Sequence, residues 1–376
     1  MDNGLHTVLR NPEVFAQRTG PAQYTNEAVP NPASCLLSRC GRSIGVVAVQ
    51  KHPGEQAMKM LVTGAAGFVG SHLVDELLSR GATVVGTDNL LRGRMENLAG
   101  AGANDRFTFI EAELGDPDKI PDALLAIGPC DMVWHMAANS DIAAGARDDA
   151  IDFRDTFQTT RSALAICRAT DARRLVFAST SAVYGENDEA LAEDTGPLLP
   201  ISNYGAMKLA AEAAISAAVE TFLDTAFILR FPNVIGSRAT HGVIYDFCQK
   251  LMADPSLLQV LGDGTQKKPY LYVAELVEAM LFIIDRIAGQ PGRHLYNIGP
   301  RDEGVSVSEI AGAMVTHAGG TATIAYQDTD RGWVGDVPRF SYSTAKLDRL
   351  GWSPELTSRD AMLRAVAECA GEWGLT

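Results

Sequence analysis

The sequence predicts an α/β chain, a doubly wound parallel sheet followed by a smaller C-terminal α/β lobe. Two observations carry that reading. From Met58 onward, short apolar runs alternate with helical stretches, the pattern of a parallel sheet covered on both faces. After Asn233 the alternation loosens, and the tail to Thr376 reads as a second, smaller lobe.

The elements follow in order. Residues 60–63 form a short apolar strand. Residues 68–80 read as a helix with Val69, Leu73 and Leu77 on one face and Gly81 as its stop. Strands follow at 83–87, 107–110 and 132–135, then a long helix over 151–170 and a strand at 175–178. An Ala-rich helix over 204–221 and a strand at 226–230 complete the alternating part. This divides the chain into an extension (1–57), a first domain (58–235) and a second lobe (236–376), the two lobes packed as one unit. The extension has scattered Pro, Asn and Gly and, apart from a run at 44–49, no sustained periodicity, so it is expected to be poorly ordered. Met58, directly before the first strand, is a candidate start of translation.

Composition narrows the function. The 376 residues include 32 basic and 46 acidic side chains, net −14, and the longest basic cluster is Lys267-Lys268. Such a chain repels a phosphate backbone, so nucleic acid is not an expected partner. No run of 18 apolar residues occurs and no secretory signal is visible, so a cytoplasmic protein that does not span a membrane is expected. The six cysteines (Cys35, Cys40, Cys130, Cys167, Cys248 and Cys369) contain no C-x-x-C pair and read as reduced thiols; no metal site is expected.

The first strand runs into Gly64, Gly67 and Gly70 at G-x-x-G-x-x-G spacing, opening the first helix. A side chain at such a turn would block the approach of a pyrophosphate, whose charge a helix N-terminus stabilises. Asp88 ends the second strand, 18 residues after Gly70, where a carboxylate accepts from both adenosine ribose hydroxyls and repels a 2′-phosphate. Together they predict a Rossmann-type NAD site. Arg92 and Arg94 lie close enough in sequence to blunt the preference for NAD over NADP.

Tyr204 and Lys208 stand at i and i+4 on one predicted helix face. An ammonium beside a phenol lowers the phenol's pKa, making the tyrosine a usable base. Just upstream, Ser179-Thr180-Ser181 ends a parallel strand, where the ligand crevice of an open α/β sheet forms.

With these motifs in place, the chain resembles the extended short-chain dehydrogenase/reductase family, the nucleotide-sugar epimerases and dehydratases, over roughly residues 58–354. The resemblance rests on the glycine turn, Asp88-Asn89-Leu90, His135-Met136-Ala137-Ala138, Ser179 to Gly185, Tyr204 to Lys208, Arg230-Phe231-Pro232-Asn233 and Gly262-Asp263-Gly264. It implies that Phe68 and Val69 line the pyrophosphate turn, that Asp88 and Asn89 hold the adenosine ribose and that Leu114 flanks the adenine. Met136, Ala137, Ala138 and Asn139 would line the nicotinamide-ribose side. Thr180 would relay a proton, Tyr204 act as base, and Lys208 support it while holding the nicotinamide ribose. Ser181, Asn233, Val243 and Ile244 fall where relatives contact the nucleotide-sugar. The resemblance also implies a homodimer paired through the long helix near Phe157 and Leu164 and through the Tyr204 helix.

The chain departs from the family pattern at several points. Glu113 replaces the usual Asp before Leu114, and Asp155 the usual Asn in the long helix. Lys268 and Trp333 replace two arginines that grip the diphosphate, which leaves Lys268 and nearby Arg331 as the candidate cations. After Thr180, dehydratase relatives carry an Asp-Glu pair and decarboxylating relatives a Glu in the second place. Ser181 and Ala182 cannot transfer protons near neutral pH, so elimination is disfavoured and epimerisation through a keto intermediate, most often at C4, is expected. Phe340 falls where a bulky aromatic goes with plain hexoses, making UDP-glucose and UDP-galactose the first pair to test. The alternatives are a net sugar-nucleotide reductase or dehydrogenase and a non-catalytic NAD-binding regulator.

Overall fold

The computed structural model describes residues 57–186, 190–329 and 343–375. Apart from Ala57, the expected N-terminal extension lies outside the described residues, as do Arg331, Trp333 and Phe340. Seven described strands form one fully parallel sheet: β1 (Lys59–Thr63), β2 (Thr83–Asp88), β3 (Phe107–Glu111), β4 (Met132–His135), β5 (Arg174–Thr180), β6 (Thr225–Phe231) and β7 (Gly292–Asn297). Their order is β7-β6-β5-β4-β1-β2-β3. The chain winds outward from β1 through β2 and β3, then returns to β4 and winds the other way. The strand order therefore reverses between β1 and β4, and a crevice opens beyond their C-terminal ends.

The central strands are buried on both faces, which is why they read as continuous apolar runs. Helix α1 (Phe68–Ser79) packs one face through Leu73, Val74, Leu77 and Leu78. Helices α2 (Thr159–Ala169) and α3 (Asn203–Val219) cover the other with Ile166, Cys167, Ala211 and Ile215. Ser202 caps α3 by accepting from the Gly205 N–H (3.1 Å). Residues beyond 235 also build the sheet layer. They supply the edge strand β7 and a helix at Val273–Arg286 whose Leu276, Val277 and Met280 join the core beside α1. A sheet with six strands to one side of β3 needs that cover, and the chain returns from the second lobe to give it.

One element differs from the expectation. The single long helix over 151–170 is a short α-helix (Asp149–Asp152), a π-helical turn (Phe153–Gln158) and then α2. Threonine hydroxyls compete for backbone carbonyls there. Thr159 Oγ1 donates to the Thr156 carbonyl (2.9 Å) and Thr160 Oγ1 to the same oxygen (2.9 Å). The remaining lobe has its own core of Ile244, Phe247, Leu251, Ile310, Met314, Met362 and Val366, against which Phe68 of α1 also packs. No described helix is long and apolar enough to cross a membrane.

Candidate active site

The crevice beyond β1 and β4 is a cavity of about 770 Å³. Its floor is the turn between β1 and α1. Gly64 has φ +67°, and a Cβ there would lie 2.8 Å from the Ala137 nitrogen; a Cβ on Gly70 would overlap the Gly64 carbonyl oxygen. The turn is thus a cradle that side chains would fill. Asp88 at the end of β2 accepts from the Ala66 N–H (3.1 Å) and the Leu90 N–H (2.9 Å). Burial raises its carboxyl pKa and those N–H groups counter the rise. Asn89 donates to Glu113 (2.8 Å), tying the end of β2 to the segment after β3. The residues present therefore fit a dinucleotide with free ribose hydroxyls.

The structure brings almost every expected residue to this cavity. Gly64, Gly67, Phe68, Val69, Gly70, Asp88, Asn89, Leu114, Met136, Ala137, Ala138, Asn139, Thr180, Tyr204, Lys208, Asn233, Val243, Ile244 and Lys268 all line it. Ser181 does not: it begins a 3₁₀ turn (Ser181–Tyr184) after the strand that carries Thr180. Arg331 lies outside the described residues. Glu113 and Asp155, noted as departures from the family pattern, line the cavity as well, Asp155 in a two-pronged pair with Arg154 (2.6 and 2.8 Å).

The catalytic pair differs from the expectation in one respect. Lys208 is only 2% exposed, and its Nζ donates to the Ala178 carbonyl (2.6 Å), 5.8 Å from the centre of the Tyr204 ring. Burial pushes the Tyr204 phenol up to about 12, with the Thr180 hydrogen bond acting downward and the Asp152 charge upward. Burial likewise pulls Lys208 down to about 7, opposed by Glu212 and then Asp152. In the protein alone, burial therefore outweighs what lowers the phenol, and the net shift of Tyr204 is upward.

Sequence reasoning missed the layer behind the pair. Glu212, one turn beyond Lys208 on α3, accepts from Ser179 Oγ and from both Nε (2.9 Å) and Nη2 (2.7 Å) of Arg230. All three are buried. Lys208 and Glu212 stand at i and i+4, and that spacing was the available signal. His135, stacked on Phe177, holds Thr63 (2.8 Å) and Thr160 (3.0 Å), and burial takes it down to about 3. Over the cradle, Arg92 pairs with Asp141 (2.6 Å), and Arg94 donates to Tyr245 (2.9 Å).

A parallel sheet whose crossing point carries a glycine cradle, an acid at the end of the second strand and a hydroxyl–tyrosine–lysine set is the arrangement of an NAD-dependent short-chain oxidoreductase fold. Comparison with known proteins narrows this. The chain belongs to the NAD-dependent epimerase/dehydratase family, whose model matches residues 60–299. It is 31% identical to the UDP-glucose 4-epimerase of Mycolicibacterium smegmatis, covering 82% of this chain and 97% of that one. Among solved structures it resembles a UDP-galactose 4-epimerase (34% identity, TM-score 0.73, 84% of this chain and 99% of that one). It also resembles the UDP-glucuronic acid 4-epimerase of Bacillus cereus in complex with UDP-glucuronic acid and NAD (27% identity, TM-score 0.73, 84% and 100%).

Proposed function

We infer that the protein is an NAD-dependent epimerase that inverts C4 of a nucleotide-diphosphate sugar through a transient keto intermediate. The observation that carries the reading is the Thr180–Tyr204–Lys208 set on the cavity wall with Ser181 and Ala182 following it, neither able to move a proton. NAD, when bound, supplies the acceptor and donor of hydride and a positive ring charge beside the phenol. The Gly64–Gly70 turn would hold its pyrophosphate, Asp88 and Asn89 the adenosine ribose, Leu114 the adenine, and Met136 to Asn139 with Lys208 the nicotinamide ribose.

The protein's own residues do the rest. Tyr204 accepts the proton of the sugar hydroxyl through Thr180 and returns it after the sugar has turned. Lys208 stabilises the phenolate form of Tyr204 that takes this proton. The second lobe (236–376) would cradle the nucleotide, with Val243, Ile244 and Lys268, and Asn233 beside them, on the sugar and diphosphate, while residues 58–235 hold most of the dinucleotide. UDP is the first nucleotide to test because relatives so named bind UDP-sugars. The enzyme is read as a cytoplasmic homodimer, supported by Phe153, 49% exposed, against Phe157 on the outer face of the π-helical turn (ring centres 5.8 Å). Light scattering of the purified protein tests the dimer.

The decisive experiment follows UDP-glucose and UDP-galactose by NMR with the purified protein and no added cofactor. Interconversion is expected. Inactivity on UDP-hexoses, UDP-N-acetylhexosamines and UDP-uronates alike, from protein shown to contain NAD, would remove the UDP assignment. A 4-keto-6-deoxy product would remove epimerisation.

A further inference from the structure

The loop after β2 is fastened at two points that the mechanism above does not use. Its course is fixed from within. Leu90, at φ +56°, gives its N–H to the Asp88 carboxylate (2.9 Å), and a Cβ on Gly93 would lie 2.7 Å from that carboxylate's Oδ1. The Arg94 N–H (3.0 Å) and Asn97 Nδ2 (2.9 Å) both donate to the Ala66 carbonyl, within the glycine turn. From this tied-down loop Arg92 reaches Asp141 Oδ2 (2.6 Å). Asp141 is held just as firmly. Its Oδ1 accepts from the Ala144 N–H (2.9 Å), and its backbone N–H and carbonyl are both bonded to the Asn139 side chain (2.9 Å each). Neither segment needs the Arg92–Asp141 pair for its shape; what the pair adds is a bar between them.

Arg92 follows β2 and Asp141 follows β4, and those two strands flank β1. The bar therefore crosses the C-terminal end of β1, where the glycine turn begins. Both side chains line the cavity yet remain 38% and 30% exposed, so the bar stands at the cavity rim. The second fastening runs to the other lobe. Arg94 Nη2 donates to the hydroxyl of Tyr245 (2.9 Å), which lines the cavity from the helix Val243–Ala253 and meets Trp373 edge-on (ring centres 5.4 Å). We propose that Arg92–Asp141 and Arg94–Tyr245 are two latches of one strap, residues 89–97, that bars the dinucleotide's way out of the cavity and slows its release. The proposal rests on the functional reading above and deepens it. A cofactor regenerated within each turnover has no need to leave, and its loss while the sugar was a ketone would strand the reaction. Both latches close through side chains, so the strap can open without refolding either lobe.

The test times NAD release from the NAD-loaded protein, diluted into an excess of an auxiliary dehydrogenase that consumes free NAD. No sugar enters the measurement. Asp141→Asn and Arg92→Met are each expected to speed release by about threefold, the scale of a part-exposed ion pair. The two changes together should do no more than either alone, because they remove one shared contact. Tyr245→Phe, which keeps the ring against Trp373, should also give about threefold, and combined with Asp141→Asn about tenfold. If Asp141→Asn does not fold, Asp141→Ser, whose hydroxyl can still cap the helix Ile142–Arg147, is read the same way. Unchanged release in the Asp141 variant overturns the proposal. So does faster release in Arg92→Met alone, which would mean that Arg92 grips the cofactor itself. The expected pattern of rates supports the strap even if UDP-hexoses prove not to be substrates.

Discussion

The two walls of the cavity are built by different means. The wall at the ends of β1, β2, β4 and β5 consists of residues at the last position of a parallel strand or one step beyond it, so the register of the sheet places them. Gly64, Asp88, Met136 and Thr180 all stand in such positions. The opposite wall comes from the chain after the sheet strand β6, where Asn233 lies on a three-residue strand and Lys268 on a two-residue strand paired with Val305. A strand end inherits its place from a whole sheet; a two-residue ladder inherits it from a few loops. On the proposed function, chemistry common to many substrates would sit on the first wall, and recognition of one substrate would fall to the second.

The most direct way to break this contrast is at Tyr204, on the helix α3 beside the first wall. Tyr204→Phe removes the proton acceptor and is expected to lower turnover by about 10²–10⁴-fold. NAD should stay bound, as read by mass spectrometry of the denatured protein. A variant that kept most of its turnover would shift the chemistry to another residue.

The next largest effect concerns what holds that wall. Glu212 and Arg230 form a buried pair, 8% and 3% exposed at the side chain. Breaking it by Glu212→Ala leaves Arg230 buried and unpaired, and a loss of about 3–5 kcal/mol in denaturant unfolding is expected. Replacing an exposed second-lobe pair such as Lys267–Glu303 should cost under about 1 kcal/mol. Equal losses at the two sites would dissolve the distinction between the walls.

Acid sharpens it further. His135 sits under the first wall with its pKa depressed from 6.5 to about 3 by burial. Between these values the unfolded chain binds the extra proton and the folded one does not, so this contribution to stability is lost as pH falls through that window. At pH 4.5 wild type should have lost on the order of 2 kcal/mol, relative to pH 7, that a His135→Gln variant does not lose. Unfolding at the two pH values measures the difference directly.

How much of this was legible beforehand follows the same division. Six of the seven sheet strands are visible as apolar runs: five because burial on both faces leaves them little else to be, and the edge strand β3 through half-buried Phe107, Phe109 and Ile110. The seventh, Gly292–Asn297, was not: its run of Arg293, His294 and Leu295 is only half-buried at the sheet edge, so it carries no apolar run. Tyr204 and Lys208 were legible from helical spacing. The state of their protons was not, because it depends on desolvation by residues distant in sequence. The break at Phe153–Gln158 escaped because threonine hydroxyls, not a proline or glycine, interrupt the helix there. Ser181, expected on the sugar side, does not line the cavity, since a 3₁₀ turn starts at that residue, immediately after the strand.

The smallest effect expected tests cofactor choice at the boundary between the walls. Arg92 and Arg94 follow Asp88 closely, and either one free beside the adenosine ribose would welcome a 2′-phosphate. Both are engaged. Arg94 donates to Tyr245 from the second lobe, with its guanidinium 5.7 Å from the ring centre. Arg92 reaches Asp141, in the loop after β4. Since β2 and β4 flank β1, the Arg92–Asp141 pair spans the glycine turn between them. Burial works against the Asp141 carboxylate, but the Ala144 N–H and Arg92 hold its pKa below the usual range, so the pair is charged at neutral pH. Asp88 thus repels a 2′-phosphate while Asp141 withholds the nearest cation. Asp141→Asn should release Arg92 and narrow the preference for NAD over NADP, by only about threefold because the pair is part-exposed (38% and 30%). Asp88→Ser should narrow it more, and the two changes together should exceed the sum of their separate effects, since a freed arginine helps most where no carboxylate opposes the phosphate. Calorimetric titration of cofactor-stripped protein with each dinucleotide gives the ratio, and an Asp141→Asn ratio equal to that of wild type would show that Arg92 does not reach the ribose.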